Sequence, residues 1–439
     1  MKASRLIFRF TKLTLLLLML TMMVVLILAF APALLNKWIT YPNLESERSA
    51  LWMKRKEPQQ IIGKEEFKGV LHAHSYWSHD SRGTLPEILQ GAKQAELDFI
   101  FFSDHAHGKQ DTFPRSFHGI FDGIIMEAGT ESSNGLMVNP FESTVLDWNI
   151  DTEELIGNVV ANGGLVTYVH TEKEHIWNNP DYQAMEIYNI HTDLLDEDGI
   201  LPFAINNVVN GNQYKDWCYR EIYDEQTAIL SNWDALNMQR RIVGIGGVDA
   251  HNNQSFRARY TEDSLVEWVG SNAKTLVVRT PNWFDRLMLG APDEHGWAFK
   301  WELDPYFESF NFDNTYVFCD TFSNENIKQN IIEGHAFVSF ESLAKANGFQ
   351  YFSVDDDEQV SGILGDSVQV AKVSAIKALS PLPVVFQLFQ NGKLIDTSEE
   401  KYTYEYKLNH LKGNYRLVAR VKLLDEWIPW IYTNPIYIY

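Results

Sequence analysis

The feature that most constrains the fold is an alternation of short apolar strands with amphipathic helices between residues 65 and 345. The predicted strands are residues 67–71, 99–102, 165–169, 185–188 and 242–248. The segment Thr84-Leu85-Pro86-Glu87 has the pattern of a capping box and predicts a helix between the first two strands. Alternation over this length predicts a parallel sheet or barrel.

From residue 347 onward, apolar residues recur with period two. Residues 385–390 and 393–395 flank Asn391-Gly392, which predicts a β-hairpin, and residues 402–408 and 415–423 supply further strands. Short strands of this kind predict a small C-terminal β-sandwich over residues 347–439 that supplies no metal ligands. The acidic run at residues 355–358 is interpreted as a solvated loop.

The N-terminus contains 23 uncharged and mostly apolar residues, 13–35. As a helix this segment is about 35 Å long, which is enough to cross a hydrocarbon core of about 30 Å. Basic residues precede it, so we expect residues 1–40 to form a single-pass anchor, residues 41–64 a linker, and the rest to lie outside the cytoplasm. A cleaved signal peptide is the alternative, since Ala29-Phe30-Ala31 fits a cleavage site and would yield a secreted or periplasmic protein.

Charge and cysteine content exclude several classes of function. The formal net charge is −21, and a surface this acidic disfavours binding to nucleic acid. Only two cysteines are present, Cys218 and Cys319, which permits one disulfide and excludes a zinc site made of cysteines.

Histidines beside carboxylates follow the predicted strands. The motifs are His72-Ala73-His74 with Asp80 beyond it, Asp104-His105, Glu131, His170, Glu186 with Asn189, and Asp249-Ala250-His251. The carboxyl ends of parallel strands open on one face, so we expect these side chains to meet there. Residues two apart on a strand point to the same side, which would let His72 and His74 hold one ion. Imidazole and carboxylate without thiolate suit zinc, manganese or iron.

The order His-x-His, Ser-Asp-His, Gly-x-Glu, His, Glu-x-x-Asn, Asp-Ala-His resembles the PHP (polymerase and histidinol phosphatase) superfamily. It is most similar to the branch of the CehA/McbA-type metallohydrolases, in which a β-rich tail ends in a segment like the one from Pro429 to Tyr437 here. The resemblance implies a distorted (β/α)7 TIM-like barrel of the PHP type over residues 65–345, with two or three divalent metal ions. Asp104 could instead orient a loop or a ligand histidine.

Carried over by motif, the resemblance implies three groups of metal ligands. His72, His74, Glu131 and Asp249 would hold one ion. Glu131 would bridge to a second ion held by His170, with His191 as a further candidate. The third group would be Asp80, His105 and His251, although many superfamily members have a histidine at the position of Asp80.

This ligand set predicts hydrolysis by a metal-activated water, with His105, Glu131 and Asp249 as the catalytic candidates. A phosphoester is the first choice of substrate, either as a small molecule or linked to a lipid or glycan. Carboxyl or carbamate ester hydrolysis is one alternative, and a non-catalytic, membrane-anchored binding protein is another. Five basic residues near the motifs could bind phosphate or be ordinary surface charge: Arg82, Lys109, Arg115, Arg257 and Arg259.

Overall fold

The computed structural model describes residues 2–105, 113–132, 134–140, 146–147, 150–196 and 200–439. The chain is a mixed α/β protein with one apolar N-terminal helix and a β-rich C-terminal region. The described helices are α1 (Lys2–Leu35), α2 (Tyr41–Trp52), α3 (Leu85–Gln94), α4 (Thr152–Ala161), α5 (Ile190–Asp196), α6 (Ile200–Asn210), α7 (Lys215–Arg220), α8 (Thr227–Asn237), α9 (Trp283–Met288), α10 (Tyr306–Phe310) and α11 (Asn324–Glu333).

The strands of the α/β region are β1 (Glu65–Ala73), β2 (Phe99–Phe102), β3 (Asp104–His105), β4 (Gly119–Phe121), β5 (Ile124–Glu127), β6 (Thr130–Glu131), β7 (Leu136–Asn139), β8 (Leu165–Tyr168), β9 (Ala184–Asn189), β10 (Val243–Ala250), β11 (Ser255–Tyr260), β12 (Val266–Val269), β13 (Thr275–Arg279), β14 (Trp297–Glu302), β15 (Asp313–Cys319) and β16 (Ala336–Phe340). The strands of the C-terminal region are β17 (Gln350–Val354), β18 (Val360–Ile363), β19 (Ser367–Val368), β20 (Ala375–Gln390), β21 (Lys393–Thr397), β22 (Lys401–Lys407), β23 (Gly413–Leu423), β24 (Glu426–Thr433) and β25 (Ile436–Ile438).

Parallel pairing dominates around the strands that carry the histidine motifs. β1 pairs in parallel with β2 and with β10, β10 with β9, and β9 with β8. β2 pairs in parallel with β5, and β3 with β6. β7 connects β6 to β8 by antiparallel pairing on both sides. The carboxyl ends of the parallel strands therefore lie together, as the sequence predicts.

Local sequence signals explain where the first helix after β1 begins. The capping box at Thr84 is present, since the Thr84 backbone N–H donates to the Glu87 carboxylate at 3.0 Å and Pro86 occupies the first turn. The inward side of α3 carries Ile88 and Ala92, which pack in an apolar core with β1 and β2. The predicted helix is thus confirmed together with its cap.

One segment of the α/β region departs from the predicted alternation. After β10, strands β11–β14 form a separate four-stranded antiparallel sheet in the order β13-β12-β11-β14. Arg82, which precedes α3, donates to Glu267 at 2.9 Å and to the backbone oxygen of Ala273, and so ties this sheet to the loop after β1.

The β-rich C-terminal region is joined to the α/β region by hydrogen bonds as well as by the chain. The predicted hairpin is confirmed, because β20 and β21 pair around Asn391 and Gly392, both of which have positive φ. β24 pairs with β16, so the hydrogen-bonded sheet continues across residue 347. Asn434 adds side-chain bonds to the backbone of Gly244 and of Ala336.

The N-terminal helix continues into the folded region. α1 passes through a π-helical turn at Asn36–Thr40 directly into α2, and Tyr41 and Leu51 of α2 are buried. The segment 41–64, which the sequence predicts to be a linker, thus includes helix α2. Helix α1 is long and apolar enough to span a membrane, a property that a signal sequence shares.

Cys218 and Cys319 are both free and buried. The one disulfide that the composition permits is therefore not formed.

Candidate metal centre

The backbone at the end of β1 directs two imidazoles to the same place. The strand pairing shifts register between Leu71 and Ala73, and His72 between them has a φ of 64°. The imidazole rings of His72 and His74 lie 5.3 Å apart. The expected convergence is present, but it depends on this irregularity rather than on the regular alternation of a strand.

Four buried side chains form the first ligand group: His72, His74, Glu131 and Asp249. The Nε2 atom of His72 lies 3.0 Å from Glu131 Oε2 and 3.1 Å from Asp249 Oδ1. The Nε2 atom of His74 lies 3.4 Å from each of the same oxygens. Ligands at about 2.1 Å from a tetrahedral ion are about 3.4 Å from one another, so this spacing suits a shared divalent cation.

A second group shares His74 with the first and adds Asp80, His105 and His251. Asp80 Oδ2 lies 3.3 Å from His251 Nε2 and 3.7 Å from His105 Nε2. Burial and the neighbouring His74 lower the pKa of His105 to about 4, so its imidazole is neutral at pH 7 and offers a lone pair. Because both groups use His74, two ions bound here would be neighbours.

Glu186 fixes the orientation of His72. Its Oε1 accepts a hydrogen bond from His72 Nδ1 at 2.5 Å, and its Oε2 accepts bonds from the backbone N–H of His170 at 2.7 Å and from Asn189 at 3.0 Å. With Nδ1 held by Glu186, His72 Nε2 faces the first ligand group, where it would be the atom that binds an ion. A metal-binding histidine commonly has such a carboxylate behind it.

The other two central histidines also have a partner at Nδ1. His74 Nδ1 donates to Ser78 Oγ at 3.3 Å, and that hydroxyl donates to Asp80 at 2.8 Å. His251 Nδ1 donates to the backbone oxygen of Asp249 at 2.9 Å. The Nε2 atoms of both rings are therefore the ones that face the carboxylates of the cluster.

Two buried atoms of the cluster show that the residues fit a cation. His251 Nε2 and Asp249 Oδ1 are buried and have no hydrogen-bond partner. Buried polar atoms without a partner are costly. An ion in the first group would satisfy Asp249 Oδ1, and an ion in the second group, replacing the imidazole proton, would satisfy His251 Nε2.

The pKa shifts of the carboxyl groups in the cluster also favour cation binding. Burial raises the pKa of Asp249, but the charges of His72 and His251 lower it by more, and Glu131 is shifted downward for similar reasons. Burial lowers the pKa of His251, whereas Asp249 and Asp80 raise it, to about 9. The carboxylates are therefore ionised and attract positive charge to the cluster.

His170 and His191 occupy different positions. His170 Nε2 lies 3.4 Å from Glu131 Oε1 and 3.8 Å from Asp249 Oδ2, so it faces the side of Glu131 that is turned away from His72. His191 lines a cavity together with Asp249 but belongs to neither ligand group among the described residues. The structure thus brings His170 close to the proposed bridge and leaves His191 at its margin.

Asp104 is committed to the loop that follows β1. Its Oδ1 accepts from the Ser75 backbone N–H at 2.6 Å, and its Oδ2 accepts from the hydroxyls of Ser75 and Ser116 at 2.9 and 2.8 Å. Asp104 is therefore a loop-organising residue next to the ligand His105.

Of the five basic residues considered for phosphate binding, three are paired with a carboxylate or buried. Arg82 and Arg259 both form ion pairs with a carboxylate of the small antiparallel sheet, at 2.9 and 2.8 Å. Arg257 is fully buried. Arg115 is exposed, and Lys109 lies outside the described residues.

Sequence reasoning missed two residues that shape the site. The Ser78 hydroxyl connects His74 to Asp80 and also accepts a hydrogen bond from the His105 backbone N–H at 3.1 Å. Tyr306, on α10, donates to the backbone oxygen of His74 at 2.6 Å. The position of Ser78 between His74 and Asp80 in the sequence is a signal for its role, whereas no local pattern marks Tyr306.

No family model matches the sequence, and no curated protein matches it. A solved structure of a two-domain protein containing a predicted PHP-like metal-dependent phosphoesterase, from Bacteroides vulgatus, is similar over 87% of this chain and 98% of its own, with 12% identity and a TM-score of 0.34. Similarity at this level does not establish a family or an activity for the chain.

Proposed function

We propose that the chain is a metal-dependent phosphoester hydrolase whose α/β region is a distorted (β/α)7 barrel of the PHP type. One observation carries the proposal: the Nε2 atoms of three buried histidines converge on carboxylates, while a separate partner holds each Nδ1 atom. With each Nδ1 atom held by its own partner, a cation that displaces the Nε2 protons meets three nitrogens already turned toward the carboxylates.

Within this proposal the first group holds one ion, and Asp80, His105 and His251 of the second group hold another. Glu131 is in position to bridge toward His170. Its Oε2 faces His72 and His74, and its Oε1 faces His170 Nε2 at 3.4 Å. Divalent ions bound there would lower the pKa of a water toward about 7 and polarise a phosphoryl oxygen. In the net reaction the water oxygen bonds to phosphorus, the ester P–O bond breaks, and a proton passes to the departing alcohol.

We further propose that residues 1–40 remain attached as a single-pass anchor, with the metal centre outside the cytoplasm. The continuity of the helix supports this, because cleavage after Ala31 would cut it two residues before Ala33, which is buried against the folded region. N-terminal sequencing of the mature protein tests the proposal, and a chain that starts near Pro32 would refute it.

The activity is best tested with the full chain in detergent. We expect at least two equivalents of zinc, manganese or iron by elemental analysis, and hydrolysis of p-nitrophenyl phosphomonoesters or diesters that a chelator abolishes and added metal restores. The panel should include a p-nitrophenyl carboxyl ester and a carbamate, since preferential cleavage of either would replace the phosphoester assignment. Bound metal without hydrolysis of any of them would favour a binding protein.

A further inference from the structure

Helix α6 connects the N-terminal helix to the metal centre. Near the end of the apolar segment, the Ala33 backbone oxygen accepts a hydrogen bond from Asn210, and Lys37 donates to the backbone oxygen of Val209 at 3.0 Å. Tyr41, one turn further on, is hydrogen-bonded to Asn206. The C-terminal half of α6 is therefore fixed against the segment where the chain leaves the proposed membrane span.

That segment also has the residues expected at a membrane surface. Lys37 and Trp38 follow the apolar run, and the Trp38 side chain is 73% exposed. Tryptophan and lysine at the end of a span are typical of the headgroup layer. Since the C-terminal half of α6 contacts residues on both sides of this level, that half lies at the height of the headgroups.

The sequence of α6 suits such a position. Ile-Leu-Pro-Phe-Ala-Ile-Asn-Asn-Val-Val-Asn contains no charged residue. Leu201 and Val208 are 67% and 59% exposed, and their spacing of seven residues places them on one face of the helix. An exposed apolar face beside a membrane anchor is a surface that lipid would cover.

The other side of α6 reaches the metal centre. Phe203 is buried and lines a cavity that also includes Asp249 and His191. Most of the remaining lining is apolar, with Leu194 and Ile222 among the contributors. A single helix, about 10 Å in diameter, therefore separates the exposed apolar face from the ligand cluster.

The size of this cavity limits what can enter it. Its volume is about 30 Å³, which is room for roughly two water molecules and far too little for an acyl chain. A lipid substrate would have to keep its hydrocarbon tails in the bilayer and present only its headgroup ester to the metals.

We propose that α6 lies in the headgroup layer with Leu201 and Val208 toward the acyl chains, and that the substrate is a phosphoester in the headgroup of a membrane amphiphile. This inference deepens the function proposed above and rests on it and on the uncleaved anchor. The bilayer would hold the substrate near the level of the cluster, so that the headgroup ester reaches the metals while the hydrocarbon tails stay in the membrane.

The position of α6 can be measured without any enzyme activity. The full chain is labelled with a nitroxide at Leu201→Cys, at Val208→Cys and, as a control, at Leu394→Cys, which is 49% exposed on the β20–β21 hairpin; Cys218 and Cys319 are buried. In phosphatidylcholine–phosphatidylglycerol vesicles, we expect labels 201 and 208 to collide preferentially with oxygen and label 394 with a water-soluble nickel chelate. Equal nickel accessibility at all three sites would overturn the proposal.

The substrate class is tested with two p-nitrophenyl phosphodiesters, one soluble and one carrying a hexadecyl chain in the vesicle membrane. We expect kcat/KM to be at least tenfold higher for the membrane-borne ester. The double variant Leu201→Asp/Val208→Asp should reduce that value about tenfold and leave the soluble ester within twofold. Hydrolysis of both esters at equal rates refutes the substrate class and leaves the hydrolase assignment standing, whereas hydrolysis of neither refutes the hydrolase assignment itself.

Discussion

Replacing Glu186 by glutamine tests whether the tautomer of His72 matters. Glu186 is buried and accepts from three N–H groups, His72 Nδ1 through Oε1 and both the His170 backbone and the Asn189 side chain through Oε2. A glutamine has the same shape but only one accepting oxygen. In either orientation, its NH2 group would face an N–H donor, either on the ring or on the backbone.

The expected size of the effect follows from this mismatch. One buried donor loses its partner, which costs about 1–3 kcal/mol. If the ring responds by moving its proton from Nδ1 to Nε2, His72 can no longer bind an ion. Loss of such a supporting carboxylate typically weakens metal binding by about 10–100-fold, which corresponds to about 1.4–2.8 kcal/mol.

The measurement is the metal dissociation constant, obtained by competition with a chromogenic chelator, together with turnover of a phosphodiester. Glu66→Gln is a matched control at pH 7, because it alters a carboxyl group at the other end of β1. Burial raises the pKa of Glu66 to about 8, so the native group is already mostly protonated there. If Glu186→Gln binds metal as tightly as the control variant does, the proposed role of His72 Nε2 is wrong.

Three further predictions address the bridge, the space around it and the response to pH. Glu131→Ala should lower turnover by at least about a thousandfold by removing the shared ligand, whereas turnover by His335→Ala, outside every motif, should stay within about threefold of the parent. Circular dichroism must show that both variants are folded. A folded Glu131→Ala with parental turnover and metal content would refute the multinuclear site. Gly247→Ala should weaken metal binding as Glu186→Gln does, because the added Cβ would lie 1.8 Å from the Glu186 carboxylate. The control Gly157→Ala should bind metal normally, because the nearest neighbour of its added Cβ is at 3.6 Å. Burial in the folded protein raises the pKa of Glu66 to about 8, so its protonated form stabilises the fold at low pH, and this contribution is lost as the pH rises toward 8. Chemical denaturation at a series of pH values up to 8 should therefore show Glu66→Gln losing less stability than the parent. Parallel pH profiles of the two proteins would contradict the burial argument.

Local sequence patterns predicted the elements that end at the metal centre. Residues 99–102 are a strand with the predicted bounds, and the strands around residues 67–71 and 185–188 extend the predicted ones by a few residues. Apolar runs bounded by turn residues are local signals, and a ligand placed directly after such a run is also visible locally. These local signals place each candidate ligand at a strand end, whereas the division of the ligands into groups follows only from the resemblance.

Contacts between distant parts of the chain could not be predicted in this way. The pairing of β16 with β24 joins residues almost a hundred positions apart. Asn434 contacts Gly244 and Ala336, and Trp430 donates to the Ala344 backbone oxygen at 2.7 Å. The segment from Pro429 to Tyr437, which the sequence marked only by resemblance, therefore attaches the C-terminal region to β10 and β16.

The orientation of the ligands depends on a further set of distant contacts, and these explain the glycines of β10. A side chain at Gly247 would collide with Glu186, and one at Gly246 would lie 2.5 Å from Asp313, so each glycine leaves room for a buried carboxylate from a neighbouring strand. His170, like His72, has a positive φ, a conformation that costs a non-glycine residue energy unless the surroundings hold it. Glu186 supplies that constraint by accepting from the His170 backbone and the His72 ring at once. The space left by Gly247 in β10 thus lets Glu186 of β9 fix the positions of His72 and His170. The histidine motifs alone do not reveal this dependence.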